Sequence, residues 1–389
     1  MTVHPNLDPS REFAKPERPH LRIGFVALTD CASLVAAKMM DFGQRNGLTL
    51  ELCKQPSWAA VRDKLLSGEL DAAQTLYGMV YGIQLGLGGP QADMAILMTL
   101  NRNGQAITVS NRLADALRSG SPLSAAFAML GRKPVFAQTF PTGTHAMWLN
   151  YWLAAQGVHP LHDVESVVIP PPQMADALAQ GELDGFCAGE PWHAVAEHNH
   201  SGRTIVSSSQ IWPDHPEKAL ACRREFAALY PNTVQALVRT LLEASQWLEN
   251  PPNKVTTSHR LASPEYLNIA QELILPRLSG EYGNSMLPSA PLPHRFFDAN
   301  GMNYPLASDG LWFLSQFHRW GLLTTTEGWE KIVTKVCQTE SYMLAAQSLG
   351  YFADEPATTA MPFIDGYNWD PTNPIAYSRR FAIQGNISG

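Results

Sequence analysis

The tetrapeptide Gly-Glu-Leu-Asp occurs twice, at 68–71 and at 181–184, each time between a helical stretch and a short apolar one. Its surroundings repeat with it. Before the first copy, LRIGFVAL reads as a strand, TDCAS as a polar loop, LVAAKMMDFGQRNG as a helix closed by Gly47, and LTLELCKQ as a second strand. Before the second copy, KPVFAQTF, PTGTH, AMWLNYWLAAQG closed by Gly157, and ESVVIPPP give the same order. The helix leading into each copy also matches: SWAAVRDKLLSGELD places Trp58, Val61 and Leu65 on one face, and QMADALAQGELD does the same with Met174, Ala177 and Leu178. A glycine just past a helix end takes the left-handed conformation that other residues resist. The same turn from helix to strand therefore asks for the same residue. Two similar βαβαβ units account for the whole pattern.

Strands alternating with helices predict parallel sheets, whose ligands bind beyond the carboxyl ends of the strands. Two such units facing each other put both sets of loops around one cleft. The expected fold is α/β with two parallel-sheet lobes. Residues 19–106 plus 219–389 form a discontinuous first lobe, 107–218 a second, and 1–18 a flexible N-terminal segment. After about residue 219 the pattern turns helical, with Val234, Leu237, Leu241 and Leu248 at helical spacing. The tail, rich in Trp, Tyr, Pro and Asn, is expected to pack as long loops around one lobe.

A net charge of −7 argues against a broad basic surface for nucleic acid. Five cysteines (Cys31, Cys53, Cys187, Cys222, Cys337) are scattered without a C-x-x-C pair, which suits neither a disulfide framework nor a zinc ribbon and fits a reducing compartment. The opening MTVHPNLDPSREFAKPERPHLRIGF shows no apolar export core, and no apolar run reaches the ~18 residues of a membrane span. The expectation is a protein dissolved in the cytoplasm, without a membrane partner.

The loops expected around the cleft hold Trp58, Gln105, Thr142, Thr144, His145, Gly189 and Lys218, nearly all hydrogen-bond donors or exposers of backbone N–H. Carboxylates there are few: Asp30, Glu190, Asp214 and Glu217. A donor-rich pocket at helix N-termini suits a small anion, and TFPTGTH is the best local case. The histidines of HAVAEHNH (His193, His198, His200) are irregularly spaced and lack a paired carboxylate, so no metal is expected. Phosphate-loop, G-x-S-x-G and H-E-x-x-H motifs are absent from the sequence; no enzyme activity and no cofactor are expected.

Longer segments carry a resemblance. LTDCASLVAAK, KQPSWAAVRDKL, NRNGQAITVS, FPTGTHAMWLNYWLAAQG, VVIPPPQMADALAQGELDGFCAGEPW, IWPDHPEKAL, LWFLSQFHRWG and FIDGYNWDPTNPIAY resemble the nitrate and bicarbonate solute-binding proteins of the NrtA/CmpA family, over roughly residues 20 to 378. The resemblance implies the two-lobed type II periplasmic-binding-protein fold. It also implies anion ligands at Trp58 of S-W-A-A, Gln105 of N-G-Q, His145 of G-T-H, Gly189 of G-E-P-W and Lys218 of D-H-P-E-K-A. Nitrate and nitrite accept hydrogen bonds but donate none, which a set of N–H donors matches. Bicarbonate carries an O–H and rewards an acceptor. Bicarbonate-binding members are expected to place an acidic residue and a metal where this chain has Lys218. An ammonium ~4 Å from the anion is worth about 4 kcal/mol at an effective dielectric of 20, so nitrate or nitrite is the expected ligand.

With no export signal visible, the chain resembles the family's cytoplasmic nitrate/nitrite sensors (NasS). The resemblance implies a partner, an RNA-binding ANTAR-domain antiterminator (NasT-type), held by the empty sensor and released when the anion binds; the sensor itself would not touch nucleic acid. One alternative is the nitrate-binding subunit of an ABC importer, its export signal lying outside this sequence. A remote one is a thiamine-pyrimidine synthase of the same fold, whose near-consecutive cysteines this chain lacks.

Overall fold

The computed structural model describes residues 14–283, 285–351, 356 and 362–385. Among the described residues ten strands form two five-stranded sheets: β1 (His20–Val26), β2 (Thr49–Gln55), β3 (Ala72–Leu76), β4 (Met94–Arg102), β5 (Gln105–Ser110), β6 (Val135–Gln138), β7 (Glu165–Val168), β8 (Gly185–Gly189), β9 (Gly202–Ser207) and β10 (Pro216–Arg223). The first sheet has the order β2-β1-β3-β10-β4, the second β7-β6-β8-β5-β9. The two orders correspond place for place, which is the duplication in three dimensions.

The sheets are mixed rather than parallel. β1 runs parallel to β2 and β3, and β6 parallel to β7 and β8. However, β10 is antiparallel to β3 and β4, and β5 to β8 and β9. The cause is the exchange of one strand between the units. β4 leaves the first sheet and, after only Asn103 and Gly104, the chain becomes β5 of the second sheet; β9 returns as β10 of the first. A strand arriving from the opposite lobe enters by the cleft end and must oppose its neighbours. The changes of sheet therefore fall at 103–104 and 208–215. Gln105 belongs to the second sheet and Lys218 to the first, each across the boundary expected from sequence.

The Gly-Glu-Leu-Asp repeat does the same structural work twice. Gly68 (φ 79°) and Gly181 (φ 75°) turn the chain out of helices Trp58–Ser67 and Pro171–Ala179. The buried Leu70 and Leu183 follow. Then Asp71 accepts from the Arg22 N–H (2.8 Å) while its own N–H donates to the Arg22 carbonyl, and Asp184 does both with Val135 (2.8 Å for the side chain). Each carboxylate also meets an arginine just before its strand, Arg18 at 3.0 Å and Arg132 at 2.6 Å. The aspartate thus fixes the central pairing of each sheet, β1 with β3 and β6 with β8.

Three further expectations change. The helix expected from Leu34 to Gly47 breaks at Asp41 (φ 54°) into Ala32–Met39 and Phe42–Arg45. The N-terminal segment lies outside the described residues up to 13, but Glu17 is tied down. Its carboxylate accepts from the N–H of Asn232 and Thr233, at the start of helix Pro231–Leu248 where backbone donors lack partners. The tail reaches both lobes instead of one. Trp312 packs 4.6 Å from Trp148 of the second lobe, Tyr377 bonds the Tyr151 hydroxyl (3.2 Å), and Met286 N–H donates to the Thr204 carbonyl. Tyr151, Trp148 and Trp212 would otherwise leave a large aromatic face open to water. Among the described residues no helix is long and apolar enough to cross a membrane.

Candidate functional site

Where the sheets face each other the lobes touch. The Thr29 N–H and hydroxyl both reach the Glu190 carbonyl (2.8 and 3.1 Å), and the Trp192 indole donates to the Ala27 carbonyl (2.9 Å). The approach is close because three glycines allow it. A Cβ on Gly189 would fall 2.8 Å from Asp30 Oδ2, and Cβ atoms on Gly78 and Gly82 would each fall 2.2 Å from Thr142. Thr142, expected in the anion loop, instead covers the glycine face of helix Tyr77–Leu85.

The five predicted ligands come from five elements and are all buried. Trp58 opens helix Trp58–Ser67, capped by Ser57, whose hydroxyl accepts from the Ala60 N–H. Gln105 opens β5 and stands opposite Gly189, the last residue of β8. His145 is the second residue of helix Thr144–Ala155. Lys218 lies in β10, its Nζ 5.5 Å from the centre of the Trp58 ring. Trp58, Gln105, His145 and Lys218 are all 0 % exposed. Trp58 Nε1, both amide atoms of Gln105 and His145 Nε2 have no hydrogen-bond partner among the described residues, in a setting where unpaired polar atoms are costly. His145 Nδ1 is taken by the Thr139 hydroxyl, which leaves Nε2 directed inward.

Sequence reasoning missed the company Lys218 keeps. Its ammonium lies 2.9 Å from Asp30 Oδ2 and bonds Glu217 Oε1. Asp30 Oδ1 in turn accepts from Asn101 (2.9 Å) and lies 3.1 Å from His294 Nε2. Glu217 Oε1 is 3.8 Å from His145 Nε2, and Oε2 is 4.0 Å from His215 Nδ1. Adjacent residues of a strand ordinarily point to opposite faces. Here the register of β10 on β4 slips, with Pro216 opposite Arg102 but Lys218 opposite Asn101, so Glu217 is an extra residue in a bulge. The proline before it was the one available signal of an irregular strand.

Burial dominates the protonation states. It pushes the Glu217 carboxyl up to about 8; Lys218 offsets this in part and Asp30 adds to it. Burial also disfavours the Lys218 ammonium, but Asp30 and Glu217 outweigh it and raise its pKa. Asp30 is desolvated too, yet Lys218 and His294 hold its carboxyl below the usual range. Burial, then the Lys218 charge, hold His145 well below the ordinary imidazole value, so it is neutral at pH 7. The site is one ammonium, one firm carboxylate, one soft carboxyl and several neutral N–H donors. Such a set is chemically suited to a small, weakly basic anion. Of the other histidines singled out, His193 is buried and bonded to Thr108 and to the Ala188 carbonyl. Among the described residues no group of three or more His, Cys, Asp or Glu is placed to hold a metal.

The profile of the NMT1-like family matches residues 14–262. The nitrate/nitrite binding protein NrtA of Synechocystis sp. is 36 % identical over 380 residues, covering 93 % of this chain and 84 % of that protein. The nitrate import ATP-binding protein NrtC of the same organism is 36 % identical over 379 residues, covering 95 % of this chain. This chain spans 56 % of NrtC, about half its length. Among solved structures, the periplasmic nitrate-binding protein NrtA from Synechocystis PCC 6803 superposes with a TM-score of 0.89 at 34 % identity, covering 95 % of this chain and all of that one.

Proposed function

We propose, because this chain belongs to the NMT1-like family and matches NrtA-type nitrate-binding proteins along nearly its whole length, that its interlobe site binds nitrate or nitrite. Trp58 Nε1, the Gln105 amide, His145 Nε2, the Gly189 peptide and the Lys218 ammonium are its ligands. The reading is of a binding protein, without catalysis. One observation carries it: Trp58, Gln105 and His145, buried and drawn from both lobes, leave polar atoms unpartnered among the described residues, with the Lys218 ammonium 5.5 Å from the centre of the Trp58 ring. Isothermal titration with nitrate, nitrite and bicarbonate tests it. Micromolar binding of nitrate or nitrite, lost in Lys218→Glu, is expected; no heat from any of the three anions overturns it.

The likeness to import components supports delivery to an ABC importer as the role of the bound anion. The same site also suits a cytoplasmic sensor that releases an ANTAR-domain antiterminator on binding, since a closed lobe arrangement would be the anion-bound one. Moving such an equilibrium from ~1:99 to ~99:1 takes about 5.5 kcal/mol of differential binding. Co-purification separates the two roles. An importer component stimulates nitrate uptake by its transporter in vesicles, whereas a sensor retains the antiterminator and loses it in saturating nitrate.

A further inference from the structure

We propose that Glu217 is a proton-linked determinant of anion binding: nitrate binds with Glu217 protonated, the site taking up a proton there whenever the carboxyl is ionised beforehand, and the protonated carboxyl donates to the ligand. This rests on the nitrate reading of the same site.

The argument begins with the charges that the bulge brings together. Glu217 faces Lys218 of its own strand, Asp30 of the turn Thr29–Cys31, His145 of helix Thr144–Ala155, His215 of the segment before β10, and the Cys187 thiol of β8. His294 stands behind Asp30. With His145 and His215 neutral through burial, and the Cys187 thiol raised by burial, the only positive charge facing Glu217 among the described residues is the Lys218 ammonium. Two carboxylates share that charge. If both are ionised, two carboxylates outnumber the one ammonium between them in a fully buried cluster, and an incoming anion would add a further negative charge with no solvent to screen it.

One proton removes the excess, and geometry says where it goes. Asp30 is held as an anion by Lys218, the Asn101 amide and His294. Glu217 has Lys218 bonded to Oε1 and the Trp148 indole beside it, and among the described residues its Oε2 has no hydrogen-bond partner. The proton comes from solvent and adds to Glu217, and no covalent bond breaks elsewhere. Protonation turns an oxygen that would repel the ligand into a donor, and frees Lys218 to turn its charge from Glu217 to the anion. Nitrate gains a donor it accepts from. Bicarbonate loses the acceptor its O–H would use, so the same proton sharpens the preference between them.

The test is titration of the full chain with sodium nitrate, from about pH 6 to pH 9, in paired buffers of low and high ionisation enthalpy. In the wild type, the two enthalpies should coincide near pH 6, where Glu217 is already protonated, and diverge toward pH 9 as uptake approaches one proton. Kd should rise by up to about tenfold per pH unit above the carboxyl's pKa. In Glu217→Gln, both the buffer dependence and the rise in Kd should vanish. Nitrate binding without buffer dependence in the wild type overturns the inference and leaves the binding reading standing, as does equal proton uptake in Glu217→Gln. Should the variant not fold, the wild-type proton count alone decides. Failure of nitrate to bind at any pH removes the reading on which both rest.

Discussion

Asp30 Oδ2 stands 2.9 Å from Lys218 Nζ with both side chains fully buried, so the residue assigned to the anion already has a countercharge in the protein. Removing one member of a buried pair ordinarily costs about 3–5 kcal/mol. In Asp30→Asn, Glu217 remains to pair with Lys218, so the expected loss is smaller, roughly 2–3 kcal/mol. Nitrate should stabilise this variant more than the wild type, because the anion replaces the missing charge and meets less repulsion. Urea unfolding with and without saturating nitrate checks both parts. Weaker stabilisation of the variant by nitrate would mean that Asp30 matters to binding chiefly by holding Lys218 in position.

Closure depends on glycines that no hydropathy pattern marks. In Gly82→Ala the new methyl would lie 2.2 Å from the Thr142 hydroxyl and 2.8 Å from its Cβ, across the lobe boundary. One buried apolar cluster runs through both lobes, so some fall in Tm is expected, but nitrate affinity should fall further, by about tenfold or more, the two lobes no longer seating against each other. Thr142→Gly should restore much of that affinity in the double variant. Gly78→Ala, whose Cβ would meet the Thr142 carbonyl at 2.2 Å, should not be rescued. Equal losses in Tm and affinity for Gly82→Ala would place the effect in folding rather than closure.

The aspartates that end the repeated motif should be interchangeable in their importance. Asp71→Ala and Asp184→Ala each leave a strand N–H, of Arg22 or Val135, without its side-chain acceptor. These donors are only partly buried, so each loss should lie near the low end of the about 1–3 kcal/mol that an unsatisfied buried donor costs. The arginine pairs add little, since Arg18 and Arg132 are 41 % and 49 % exposed. Denaturant unfolding should therefore show similar losses for the two variants, with nitrate affinity retained by the folded fraction. A large loss for one and none for the other would break the structural equivalence of the lobes.

The sequence carried the elements well because they follow from local chemistry. Helix faces such as Trp58–Val61–Leu65 obey the 3.6-residue period, and the paired glycines obey backbone sterics. Gly-Glu-Leu-Asp pointed to two matched units, and the structure has them. What stayed hidden depends on residues distant in sequence. Nothing local says that β5 and β10 trade sheets, so local pattern alone puts Gln105 and Lys218 on the wrong sides of the lobe boundary. Asp30 and Glu217 were visible as carboxylates near the cleft. However, Asp30 meets Lys218 only through the order of strands in the sheet, and Glu217 only through a bulge that overrides the two-residue period of a strand. The five ligands themselves came from family motifs. Burial and unpartnered atoms are what tie them together physically.

Glu190 offers the clearest pH dependence outside the anion site. Burial raises its carboxyl to about 7, against the partial compensation of Arg277, whose Nε lies 3.6 Å away while its other end is held at 2.6 Å by Glu197. The folded pKa lies above the ordinary carboxylate value, so the folded protein holds this proton more tightly than the unfolded chain. The contribution to stability is present below the unfolded pKa, near 4.5, and is lost as pH rises through 7. Glu190→Gln keeps the shape without the charge, and Arg277 keeps Glu197. The variant should match the wild type near pH 4.5 and exceed it above pH 7.5, by a margin on the order of 2–3 kcal/mol. Urea midpoints measured from pH 4.5 to 8.5 decide it. If Glu190→Gln is less stable than the wild type at high pH, the pairing of Glu190 with Arg277 outweighs the desolvation of the carboxylate, and the ion pair is the stabilising element at this junction of the lobes.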